Sequence, residues 1–103
     1  MSKKPETIFA ELIDKELKKV FGKNIWVENI QQVGKRGTPD RLICLNGHFI
    51  AFELKVEGGV VDPLQSIKLM QIRKAGGIAY IVSPQTWGAI FDFLKVEFLN
   101  EYP

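Results

Sequence analysis

Apolar residues recur along the first 21 positions at steps of three and four: Phe9, Ile13, Leu17, Val20 and Phe21. That spacing predicts an amphipathic helix. Pro5 suits its first turn, Glu6 matches the positive end of the dipole, and Gly22 can end it, so the expected span is Pro5 to Phe21. The period then shortens. Ile25, Trp26, Val27, Ile30 and Val33 place a strand over most of Asn24 to Val33. Two glycines and a proline break any regular pattern over 34–39, which reads as a loop. Two apolar runs follow, joined by Asn46-Gly47, the dipeptide of a two-residue type I′ hairpin turn. Glu57-Gly58-Gly59 is a turn. Asp62-Pro63 is a cap followed by a first-turn proline, and Gly76-Gly77 closes that second helix. Ile78 to Val82 is short and β-branched, hence a strand. Ser83-Pro84 opens a third helix running to about Leu94. The order α-β-β-β-α-β-α describes an α/β sandwich, with a mixed sheet built from an antiparallel hairpin and one strand added through a helical crossover.

The turn fixes the hairpin register. Leu45 faces His48, Cys44 faces Phe49, Ile43 faces Ile50, Leu42 faces Ala51 and Arg41 faces Phe52. The next pair is Asp40 opposite Glu53. By alternation Asp40, Leu42, Cys44, Phe49, Ala51, Glu53 and Lys55 share one face, and Ile43, Leu45, Ile50, Phe52, Leu54 and Val56 share the other. Both faces are largely apolar, so the hairpin belongs at the centre of the sheet, covered on both sides.

Composition narrows the class without naming a chemistry. The chain has 103 residues, 46% hydrophobic and 25% charged, with a net charge of +2. One compact domain over 1–103 is expected. The small positive charge permits nucleic-acid binding but requires any basic surface to be local. A single cysteine, Cys44, excludes an internal disulfide and a multi-cysteine zinc site. No apolar run is long enough to span a bilayer, and the first residues do not read as a signal peptide, so a cytoplasmic protein is the default.

Against that background the Asp40–Glu53 pair stands out. Two carboxylates opposed across a hairpin, with Cβ atoms roughly 5 Å apart, repel one another. Lys55 lies two positions further along the same face. The residues allow an acid pair neutralised by Lys55, a pair with one carboxyl protonated, or a divalent-metal site. Magnesium takes oxygen ligands and is commonly held by one or two carboxylates plus water and phosphate. A neighbouring lysine could orient or deprotonate an attacking water.

Pro39-Asp40 followed by Glu53-Leu54-Lys55 on the next strand resembles the PD-(D/E)xK nuclease motif. With Gly37-Thr38, the Asn46-Gly47 turn, Phe52, Gln65 inside a helix and Ala75-Gly76-Gly77 before a strand, the chain resembles the VRR-Nuc family from about Glu6 to Pro84. The resemblance implies a restriction-endonuclease-like core that hydrolyses DNA phosphodiester bonds with Mg²⁺ or Mn²⁺. It implies Asp40 and Glu53 as metal-binding carboxylates, the Leu54 backbone carbonyl as a further ligand, Lys55 as the catalytic lysine and Gln65 beside them. An acid from the first helix completes such sites, and Glu6 is the best match. A chain of this length resembles the stand-alone members, similar to Holliday-junction resolvases acting as homodimers in bacteria or phages. Flap or duplex-end cleavage is the enzyme alternative. A nuclease-like fold that only binds DNA or assembles with partners is the other. No membrane or nucleotide cofactor is implied.

Each residue also has an ordinary reading. Gln65 stands at capping-box spacing from Asp62, and both roles can coexist. Glu6 can serve the helix dipole alone. Glu16 falls within the apolar stripe of the first helix and is the geometric alternative to Glu6. Glu11 projects away from that stripe and reads as solvated. Lys35 and Arg36, in the loop before Asp40, suit phosphate contacts. Cys44 reads as a buried small hydrophobe, and Trp26 and Trp87 as core or interface anchors. His48 belongs to the hairpin tip. Phe91, Phe93, Leu94, Phe98 and Leu99 are dimer-interface candidates, and the last segment could exchange between subunits.

Overall fold

The computed structural model describes residues 3–30 and 39–99. Helix α1 spans Pro5–Phe21, with a 3-10 turn, Gly22–Asn24, leading into strand β1, Ile25–Asn29. Strands β2, Arg41–Leu45, and β3, His48–Leu54, form the hairpin. Helix α2, Pro63–Lys74, crosses to β4, Ile78–Val82, and α3 spans Pro84–Phe98. The sheet order is β1-β2-β3-β4. The first two pairings are antiparallel and β3–β4 is parallel. This is the α/β arrangement expected from the pattern, and the β2–β3 register matches pair for pair from Leu45–His48 to Arg41–Phe52. Asn46 and Gly47 both have positive φ, 50° and 84°, as a type I′ turn requires.

One face of the sheet packs against α1 and α3. Ile13, Leu17, Ile43, Leu45, Ile50, Phe52, Val82 and Leu94 are its most buried residues. On the other face Ala51 and Ala79 stand side by side in register, and their small side chains let Leu69 of α2 seat directly on the strands. Gly77 serves the same close approach, since a Cβ there would lie 2.8 Å from Cγ2 of Ile72.

Several expectations are corrected. Helix α3 continues past Leu94 to Phe98, because Trp87, Ile90, Leu94 and Phe98 prolong one buried stripe. Leu94 and Phe98 are therefore core residues rather than interface candidates. Phe91 is half-buried and stacks on Trp87 at 5.0 Å, whereas Phe93 and Leu99 remain exposed. Cys44 is exposed, not buried, and Trp26 is exposed, which removes the core alternative and leaves the interface one. Both lie on the α2 face, in one row with Phe49, but α2 packs over β3 and β4, reaches β2 at Leu42, and leaves this row exposed. The described part of β1 ends at Asn29; Val33, Lys35 and Arg36 lie outside the described residues. No helix among the described residues is long and apolar enough to cross a membrane.

Candidate active site

The open end of the hairpin lies opposite its turn. Pairing between β2 and β3 stops at Arg41–Phe52, so Asp40 sits one residue beyond the ladder. Its Oδ2 instead accepts the Leu54 backbone N–H at 2.9 Å. This side chain–backbone bond extends the hairpin by one step and brings the Asp40 carboxylate beside Glu53. Glu53 is 1% exposed, an unusual state for a carboxylate. Its Oε2 accepts from Gln65 Nε2 and lies 3.2 Å from Lys55 Nζ. Its Oε1 is buried and has no hydrogen-bond partner among the described residues. Burial, with the Asp40 carboxylate adding repulsion, pushes the Glu53 carboxyl up from 4.5 to about 7, against the pull of the Lys55 ammonium.

Gln65 makes the cap contact and also reaches Glu53. Its Oε1 accepts the Asp62 N–H at 3.0 Å, closing the capping box at the start of α2, while its amide nitrogen turns to Glu53. The cap thus fixes the rotamer that reaches the carboxylate.

These groups line an open cleft of about 630 Å³. Asp40, Glu53, Leu54, Lys55 and Gln65 line it, together with Glu6, Glu11 and Asp14 of α1. Glu6 therefore lines the same cleft as the carboxylate pair. Glu16 does not. Its Oε2 accepts the indole N–H of buried Trp87 at 2.7 Å, which accounts for an acid within an apolar stripe. Glu11 is exposed, as expected from its projection away from the stripe, and it pairs with Lys3 at 2.8 Å at the margin of the cleft.

Asp14, Asn29 and Arg41 escaped the sequence reading. Arg41 is 6% exposed, and a buried charge requires partners. Its Nε and Nη2 donate to the two oxygens of Asp14 at 3.1 and 3.2 Å, and Nη1 donates to Asn29 Oδ1 at 2.8 Å. The signal was available: the register puts an arginine opposite Phe52, on the core face.

A solved structure described as a VRR_NUC domain matches with a TM-score of 0.60 and 26% identity, over 80% of this chain and 92% of its own. The chain has the VRR-Nuc fold. The mixed four-stranded sheet flanked by helices thus agrees with the resemblance carried by the sequence motifs. Comparisons with protein-family models and with curated proteins gave no match. In this VRR-Nuc fold the cleft offers hard oxygen donors and a buried carboxylate oxygen with capacity to spare, a set suited to Mg²⁺ or Mn²⁺. Among the described residues no group of three or more His, Cys, Asp or Glu side chains is placed to hold a metal ion, so the candidate donors are the carboxylate pair.

Proposed function

We propose that this VRR-Nuc domain is a Mg²⁺- or Mn²⁺-dependent DNA endonuclease. One observation carries the reading: Glu53, buried beside Asp40, shares a single oxygen between Lys55 and Gln65 and leaves the other without a partner among the described residues. A purely structural ion pair has no use for the second carboxylate, which raises the energy of the first. A cation that draws on both relieves the repulsion.

Asp40 and Glu53 would hold the ion directly, with the Leu54 carbonyl as a further donor, while Glu6, which lines the same cleft without joining the pair in a three-carboxylate group, would act through a bridging water. Bound there, the ion supplies Lewis-acid charge to a phosphodiester. Gln65 keeps Glu53 in one rotamer through the α2 cap. Lys55, as an ammonium, would orient the attacking water and face the phosphate with its positive charge; to take the water's proton it must first lose its own to solvent, and the leaving oxygen is protonated as its P–O bond breaks. DNA is the substrate. A four-way junction is the preferred form and a homodimer the working unit, since two related sites suit paired cuts. Lys35 and Arg36 would contact phosphates. Phe93, Val96 and Leu99 of the α3 segment, all exposed, are available for subunit contact.

Incubating the protein with a four-way junction, a flap and a linear duplex, with and without Mg²⁺ or Mn²⁺, tests the reading. Wild type should cleave the junction only with metal, and Asp40→Ala and Lys55→Ala should not. Identical lanes for wild type and variants would remove the catalytic reading and leave a DNA-binding or assembly module. Cleavage confined to flaps or ends would remove the junction preference and keep the site.

A further inference from the structure

We propose that Arg41 is a positioning residue for Asp40, the anchor of a clasp joining α1, β1 and the start of β2. The importance of Asp40 rests on the nuclease reading; the clasp itself rests on geometry. Asp40 lies one step past the last β2–β3 pair, where a strand end would ordinarily fray. Two donors stop it. The Ile30 N–H reaches the Asp40 carbonyl at 2.9 Å, and Arg41 Nη1 reaches the same oxygen at 3.2 Å. Together they fix the peptide that follows Asp40, and with it the direction of the carboxylate toward the Leu54 N–H.

Arg41 can hold that peptide because its own plane is fixed elsewhere. Asp14 on α1 takes Nε and Nη2 in a two-pronged contact, and Asn29 at the end of β1 takes Nη1. A guanidinium presents these donors in one rigid plane, which an ammonium cannot do. Asp14 also offsets the arginine's charge, so the clasp places Asp40 without adding net charge to the Asp40–Glu53 pair. The helix carrying Glu6 is thereby tied to the strand end carrying Asp40, and both residues line the cleft.

The Leu54 amide reports directly on this positioning, because its acceptor is the Asp40 carboxylate. Native-state hydrogen exchange would be followed by NMR on the metal-free full chain, for wild type, Arg41→Met and Asp14→Asn. The Ile50 and Phe52 amides serve as monitors of strand β3 as a whole. The clasp predicts that Leu54 exchange accelerates about tenfold more than exchange at Ile50 and Phe52, the scale of one lost hydrogen bond. Equal acceleration along β3 would show a general structural role and overturn the proposal, as would an unchanged Leu54. If Arg41→Met fails to fold, Asp14→Asn decides by the same criterion. Because no metal or DNA is present, this result stands or falls apart from the nuclease reading.

Discussion

Asn46, at the turn of the β2–β3 hairpin, donates to the Phe98 carbonyl at 2.7 Å and buries its Oδ1 without a partner among the described residues. Glu53, at the open end, accepts from Lys55 and Gln65 on Oε2 and buries Oε1 in the same condition. The two ends therefore share one kind of fault, with different consequences. A neutral amide oxygen left unpaired lowers stability by about 1–3 kcal/mol and changes nothing else. A carboxylate oxygen left unpaired changes the proton affinity of its group, and here the Asp40 charge enlarges the effect. A cation relieves the second fault far more, because it also offsets the repulsion between Asp40 and Glu53. One end of the hairpin specifies the fold, and the other is where we propose that the chemistry lies.

Substitutions should separate the two ends. The largest effect is expected at the open end, on activity. Lys55→Ala should lower the rate of DNA cleavage by about 10²–10⁴-fold, the usual range for a proton-transfer group, with little change in melting temperature. Single-turnover assays on a junction substrate would measure it. At the turn end, Leu45→Ala removes a side chain that is 0% exposed and should lower stability by about 3 kcal/mol in denaturant titrations. Per folded molecule, it should leave cleavage near wild type.

Acidity sharpens the contrast. With a folded value near 7 against a usual 4.5, Glu53 keeps a proton in the folded state that the unfolded chain has already released. Stability of the metal-free protein should therefore fall as pH rises from about 4.5 to 7, with a slope of at most about 1.4 kcal/mol per pH unit. Above that window the penalty is fully present. Glu53→Gln should flatten the profile in urea titrations across pH. A slope equal to wild type would place the titrating group elsewhere.

The smallest effect is expected from Gln65→Ala. It removes half of a capping box and one bond to Glu53, and should lower stability by about 1 kcal/mol in thermal melts. Its cleavage rate should fall more than that loss of stability explains, because Glu53 gains rotamer freedom.

The hairpin end was legible in the sequence because one local feature, Asn46-Gly47, determines a register by counting. The register then placed Asp40, Glu53 and Lys55 without tertiary information. Gln65 was legible for a related reason, since cap spacing is local. Contacts between distant elements were not. Glu16 breaks the apolar stripe of α1 in favour of the Trp87 indole, 71 positions away, and no local pattern announces such a partner. Arg41 shows the same limit. Its register position demanded a buried partner, but the choice of Asp14 and Asn29 depends on how α1 and β1 pack. Trp26 and Cys44 are exposed because α2 covers only part of the sheet, a matter of crossover geometry rather than of residue type.

The central claim is that the open end of the hairpin holds a divalent cation through Asp40 and Glu53. Calorimetric titration of Mn²⁺ into the metal-free protein at pH 8, where Glu53 is ionised, tests it most directly. Wild type should bind, and Asp40→Ala and Glu53→Gln should each weaken binding at least about tenfold while remaining folded, as expected when one of few oxygen ligands is lost. Equal affinity in all three proteins, or no binding by wild type at millimolar Mn²⁺, would contradict the account.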